Sequence, residues 1–197
     1  MTSPVDQLIA DNLTVLRQGQ DLVEVLDGPA FTATAPALAF SGVGPHPRHV
    51  LDFYQRFLDA LEGPETPGTI LRIDYDARER APRLESDPVH AMAMLARTMD
   101  RLRALTSADA ERPLNVRSDG SPWVPSTIAG ELQSLVSHTV HHFALIAVTV
   151  RCQGREPGPT SGWHPRPCAT GRRSARPRAP APDRLATGPS CPRPCVR

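Results

Sequence analysis

The sequence lacks lysine altogether, and its cysteines stand only near the end. All 22 basic residues of the 197-residue chain are Arg, and the four Cys are Cys152, Cys168, Cys191 and Cys195. The residues before them therefore have no disulfide framework and no thiolate ligand. A transition-metal site in that part must be built from imidazole and carboxylate groups.

Long hydrophobic runs are also missing. The most apolar window, residues 135–150, carries three His and is too short and too polar to span a bilayer. The opening residues, Met1 to Asp6, show no basic stretch followed by an apolar run, as a targeting signal requires. We expect a cytoplasmic protein with no membrane partner.

Charge divides the chain into two unlike parts. Residues 1–151 hold 19 of the 21 acidic residues and 13 of the 22 Arg, which gives a net charge of −6. Residues 152–197 hold 2 acidic residues and 9 Arg, which gives +7. The overall charge of +1 therefore describes neither part.

The basic part has the composition of a disordered segment. It contains ten Pro, and its large apolar residues are only Trp163, Leu185 and Val196. It can bury too little apolar surface to offset the conformational entropy lost on ordering, so we predict a disordered tail over residues 154–197.

The bias of this tail toward Arg, Pro, Ala and Gly is typical of GC-rich DNA read out of frame, and we hypothesise that the tail is a frameshift product. We expect no nucleic-acid partner, since the tail has no folded platform and the rest is acidic.

Hydrophobic periodicity predicts four amphipathic helices in residues 1–153. They cover about residues 4–26, 45–61, 88–102 and 127–153. Ser3 is the expected N-cap of the first, Ser86 or Asp87 that of the third, and Gly28 followed by Pro29 ends the first.

These helices give an all-α fold. Four helices with a long crossover between the second and the third form a four-helix bundle. Within that crossover, residues 70–76 fit a short extended segment. No other segment shows a strand pattern.

Two histidines of the fourth helix share one face. His138 and His142 are four residues apart, so both rings can reach one ion. They interrupt an apolar series that contains Leu135 and Leu145. Burying two imidazoles there is costly unless they bond to something. The pattern therefore indicates a metal site.

The second helix offers the third ligand. His49 lies in line with Phe53 on the face toward the interior, and it would complete a three-His site with an open coordination position. His46, one turn earlier, is the alternative third ligand. We interpret His90 and His164 as bystanders.

Three segments resemble the DinB-like superfamily. They are residues 41–52 (SGVGPHPRHVLD), 73–80 (IDYDARER) and 131–146 (ELQSLVSHTVHHFALI). The resemblance covers about residues 1–153 and implies a four-helix bundle in which His49, His138 and His142 hold a divalent metal. For that metal we expect zinc or nickel, with iron and manganese as alternatives. The sequence departs from the family pattern at Gly130, at Pro47 and after Gly154.

The resemblance also implies a chemistry. The superfamily includes bacillithiol S-transferases and the mycothiol-dependent maleylpyruvate isomerase, so we expect a metal-dependent transfer of a low-molecular-weight thiol to an electrophile. The alternative is a non-catalytic metal- or ligand-binding bundle of stress-response type. A small-molecule thiol and an electrophile are the expected partners, and a homodimer is one candidate assembly.

Five further residues are candidates for supporting roles. Asp52 and Glu131 are candidates for orienting the imidazoles, and His141 for a base. Arg78 and Arg80 could receive an anionic substrate. Loops that alternate Asp and Arg, however, more often form surface ion pairs.

Overall fold

The computed structural model describes residues 3–34, 42–64, 68–77, 81–106 and 110–157. All of them belong to one unit, Met1–Arg166, and the second unit, Pro167–Arg197, lies outside the described residues. The predictions for Arg78, Arg80, His164 and residues 158–197 of the tail also fall outside them.

The described residues form six helices and three strands. In chain order these are α1 (Pro4–Glu24), α2 (Gly28–Thr32), α3 (Pro45–Glu62), β1 (Leu71–Asp74), α4 (Arg83–Ser86), α5 (Pro88–Arg103), β2 (Pro113–Arg117), β3 (Val124–Thr127) and α6 (Ile128–Cys152). The four long helices α1, α3, α5 and α6 correspond to the four predicted from the sequence. The fold is mostly helical, as expected.

Side-chain caps set where three of the long helices begin. Ser3 forms a capping box with Asp6 at the start of α1. Asp87 and Thr127 begin α5 and α6 by accepting hydrogen bonds from backbone N–H groups of the first turn. The predicted caps at Ser3 and Asp87 are therefore confirmed.

The first helix ends earlier than predicted. α1 stops at Glu24, and Gly28 with Pro29 then starts the short helix α2. Asp27 caps this helix by accepting a hydrogen bond from the Ala30 N–H at 2.8 Å. The Gly-Pro pair thus opens a helix, because Pro needs no N–H partner in a first turn.

A small sheet corrects the expectation of no strand beyond the crossover. The strand order is β1-β2-β3, with β1 parallel and β3 antiparallel to β2. β1 lies within the predicted extended segment. β2 and β3 escape prediction because β2 forms by pairing with β1 from before α5, and β3 contains Pro125 and shows no apolar alternation.

The long helices pack around a shared apolar core. α1 packs against α5 and α6, and α3 packs against the same two helices. Phe57, Leu95 and Leu132 are among the side chains fully buried between them. β1 also packs against α3, which places the sheet beside the helix that carries His46 and His49. Among the described residues, no helix is both long and apolar enough to cross a membrane.

A buried polar chain connects three of the long helices. The Tyr54 hydroxyl donates to Oδ1 of Asn12 at 2.6 Å and accepts from the Thr139 hydroxyl at 3.2 Å. The Asn12 amide nitrogen in turn donates to the Leu132 carbonyl at 2.9 Å. Because Thr139 directly follows His138, these bonds fix the height of the histidine-bearing turn of α6 against α3.

Candidate metal centre

Three imidazoles from two helices come together at one end of the α3–α6 interface. The ring centroid of His49 lies 5.0 Å from that of His138 and 4.7 Å from that of His142. The centroids of His138 and His142 are 4.6 Å apart. One potential ligand atom from each ring lies within 4.8 Å of the other two, and all three residues are half-buried. The structure thus brings together the three residues proposed from the sequence.

Their convergence follows from helix geometry. His138 and His142 are one turn apart on α6, so their side chains stand above one another on one face. α3 packs against α6 and supplies His49 from the opposite side. Thr139, beside His138, is bonded to Tyr54 of α3, which holds the two helices in register.

His46 lies beside this group. Its Nδ1 is 3.1 Å from Nδ1 of His142, and the two ring centroids are 5.4 Å apart. The sequence leaves His46 and His49 as alternatives for the third position. The geometry favours His49, because the compact group is formed by His49, His138 and His142.

Burial and crowding favour neutral imidazoles here. Burial, followed by the proximity of His138, His49, His46 and His141, lowers the pKa of His142 to about 3. Burial, followed by the proximity of His141, also lowers the pKa of His46. Neutral imidazole is the form that binds metals, and three such donors suit a divalent ion of borderline softness. The residues present therefore fit the metal that the resemblance implies.

A cavity of about 350 Å³ opens beside His49 and His138. Phe53 forms one wall, with its ring centroid 4.3 Å from that of His138 and 5.0 Å from that of His49. On its other side Phe53 stacks on Tyr75, at 4.9 Å and an interplanar angle of 23°. The sequence indicates only an apolar role for Phe53 and none for Tyr75, whose position depends on how β1 meets α3.

Glu131 lies in the wall of the same cavity and is only 7% exposed. Its carboxylate oxygens accept hydrogen bonds from the hydroxyls of Tyr75 at 2.8 Å and Ser126 at 2.5 Å. The role toward an imidazole that the sequence suggests for Glu131 stays a prediction. Burial, followed by the charge of Glu131, raises the pKa of Tyr75, so its hydroxyl stays protonated and remains a donor.

Asp52 is buried behind the first turn of α3. Arg48 donates to its carboxylate at 2.7 Å and also pairs with Glu85 of α4 at 2.6 Å. A Cβ placed on Gly44 would stand 1.9 Å from the Glu85 carbonyl oxygen, so only glycine permits this approach. Asp52 thus belongs to the contacts that seat the start of α3, and its proposed role toward an imidazole stays a prediction.

His141 and His90 lie outside the group of three histidines. His141 is exposed, and its ring centroid lies 5.3 Å from that of His142. Its role as a base stays a prediction. His90 stands half-buried in the first turn of α5.

Comparison with known protein families gives a match over most of the chain. The model of the DinB family matches residues 1–169, which extends beyond residue 153, where the resemblance noted in the sequence ends. No curated protein and no solved structure matches the chain. Because the family match covers most of the sequence and includes all three clustered histidines, the chain belongs to the DinB family.

Proposed function

We propose that this protein binds one divalent metal ion through His49, His138 and His142 and transfers a low-molecular-weight thiol to an electrophile. The observation that carries the proposal is the convergence of three imidazoles at the wall of a cavity large enough for a small organic molecule. Zinc and nickel are the metals we expect. We also propose that α1, α3, α5 and α6 form the four-helix bundle that the resemblance implies.

The donor set suits catalysis better than a purely structural site. Three protein ligands leave a coordination position open for substrate, whereas structural zinc sites are closed by four. A divalent ion held by neutral imidazoles keeps its double positive charge and lowers the pKa of a thiol bound to it.

The side chains around the histidines would bind and orient the substrates. Phe53 gives the cavity an apolar wall next to His49 and His138, and Tyr75 and Glu131 give it a polar end. In the transfer the S–H bond breaks and a bond from sulfur to the electrophilic carbon forms. The leaving group departs with its bonding electrons. We propose that His141, which is exposed and adjacent to His142, accepts the proton of the thiol as a general base.

The test is turnover by the full chain purified without a His tag. Protein loaded with Zn²⁺ or Ni²⁺ is mixed with cellular thiols and monobromobimane, from which bromide leaves. We expect a conjugation rate above the background without protein, lost in His138→Ala and retained in His90→Ala.

A metal-loaded protein that shows no rate above background with any cellular thiol would refute the transfer. That result would instead support the alternative of a non-catalytic binding bundle.

A further inference from the structure

The cavity beside the three histidines is acidic. Glu131 and Asp119 line it, together with Ser118, Ser134 and Tyr75. No Arg is among the described residues that line it, and the sequence contains no Lys. Apart from the imidazoles of His49 and His138, the described lining residues therefore offer mainly hydrogen-bond acceptors and negative charge.

Glu131 is a fixed acceptor in this wall. The hydroxyls of Tyr75 and Ser126 each hold one of its two carboxylate oxygens. A carboxylate oxygen has two lone pairs, so both oxygens keep accepting capacity toward a ligand. Tyr75 is itself held by stacking on Phe53. The carboxylate is thus positioned before any substrate arrives.

The second acidic side chain sits on a turn that is also held in place. The backbone N–H groups of Asp119 and Gly120 donate to the two carboxylate oxygens of Asp76 at 2.8 and 2.9 Å. This keeps the β2–β3 turn against the end of β1. Asp119 consequently adds negative charge to the cavity wall at a defined place.

We propose that the cavity selects a substrate thiol whose far end carries a protonated amino group, and that Glu131 is the residue that determines this specificity. The inference rests on the proposed function, because it places the substrate sulfur at the three histidines. An ammonium group would form a charge-assisted hydrogen bond to the buried carboxylate. A carboxylate at the same end would lose its hydration beside a like charge.

The rise of α6 guides the length of the probes. Glu131 and His138 are seven residues apart on this helix, which is two turns and a rise of about 10 Å. We therefore use probes whose extended chain is of about this length. The matched probes are therefore 6-amino-1-hexanethiol, 6-mercapto-1-hexanol and 6-mercaptohexanoic acid, which differ only in the terminal group.

The experiment is isothermal titration calorimetry of each probe with the metal-loaded full chain. We expect the amine to bind about tenfold more tightly than the acid or better, with the alcohol between them, since one charge-assisted contact is gained and one repulsion avoided. For Glu131→Gln we expect the dissociation constants of the three probes to lie within about threefold of one another. Glu24→Gln removes an exposed carboxylate of α1 that does not line the cavity and should keep the wild-type order.

Equal binding of amine and acid by the wild type overturns the inference, as does a wild-type spread that survives in Glu131→Gln. Absence of binding by the amine also overturns it. If Glu131→Gln fails to fold, the order of the three dissociation constants for the wild type still tests the preference for an amine.

Hexylamine, 1-hexanol and hexanoate separate this inference from the proposed function. If these sulfur-free compounds bind as tightly as the thiols, the sulfur has no role and the proposed function fails. The preference for an amine is then judged within the sulfur-free series alone.

Discussion

The Nδ1 atoms of His46 and His142 lie 3.1 Å apart, at hydrogen-bonding distance. Of two neutral rings joined in this way, one nitrogen carries the hydrogen and the other accepts it, so each ring fixes the tautomer of the other. When Nδ1 of His142 donates to Nδ1 of His46, Nε2 of His142 keeps its lone pair and is the nitrogen that this ring offers to a metal ion. His46 is therefore a positioning residue for His142 in our account.

Replacing His46 should weaken metal binding without abolishing it. In His46→Ala the ring of His142 loses the partner that orients it, and we expect the Kd for Zn²⁺ to rise about 10- to 100-fold, as for other partners of ligating histidines. Competition with a chromophoric chelator measures this.

Two results would speak against that role of His46. A complete loss of binding would make it a ligand, and an unchanged Kd would leave it without influence. His90→Ala, a histidine of α5 outside the cluster, should keep the wild-type Kd.

The contact between α1 and α6 depends on the absence of a side chain at Gly19. A Cβ there would stand 2.3 Å from Cζ of the buried Phe143. We expect Gly19→Ala to lower the free energy of unfolding by about 1–3 kcal/mol, despite the better helix propensity of Ala. Urea denaturation measures the change.

A double variant identifies the cause of that loss. Phe143→Leu should recover part of the stability in the presence of Gly19→Ala, because the two side chains compete for one space. Strictly additive effects would contradict this. The control is Gly28→Ala, since a Cβ on Gly28 meets nothing within 4 Å.

The buried hydroxyl of Tyr54 should contribute to stability through its two partners. Tyr54→Phe leaves Oδ1 of Asn12 without its donor, while the Thr139 hydroxyl loses one acceptor and keeps the Leu135 carbonyl at 2.7 Å. We expect the free energy of unfolding to fall by about 1–3 kcal/mol. Urea denaturation of the metal-free protein measures this change. Thr14→Ala removes only an exposed hydroxyl bonded to the Ala10 carbonyl and should change stability by less than about 0.5 kcal/mol. Equal effects of the two variants would show that the buried hydrogen bonds of Tyr54 do not increase the free energy of unfolding.

The long helices and the clustered histidines could be predicted because their signals are local. Periodicity and the caps at Ser3 and Asp87 are set within a few residues of each helix. The spacing of His138 and His142 places both on one face, and the interior face of α3 points to His49. Each of these inferences needs only the geometry of a single helix.

The rest depends on contacts between distant parts of the chain. β2 forms by pairing with β1 from before α5, and β3 contains Pro125 and shows no apolar alternation. Tyr75 contacts Glu131, which lies 56 positions further along the chain, and nothing local to either residue indicates the contact.

The disordered tail over residues 154–197 stays a prediction. Resequencing the gene across the codons for residues 150–165 tests the frameshift hypothesis, which an intact frame would refute.

The most direct test of the central claim is the metal content of the full chain, measured by mass spectrometry after loading with Zn²⁺ and gel filtration. We predict one ion per chain for the wild type and for His90→Ala. We predict none for His49→Ala, His138→Ala or His142→Ala, because two imidazoles are too few to hold the ion through filtration. A His49→Ala protein that retains one ion per chain would contradict the three-histidine site.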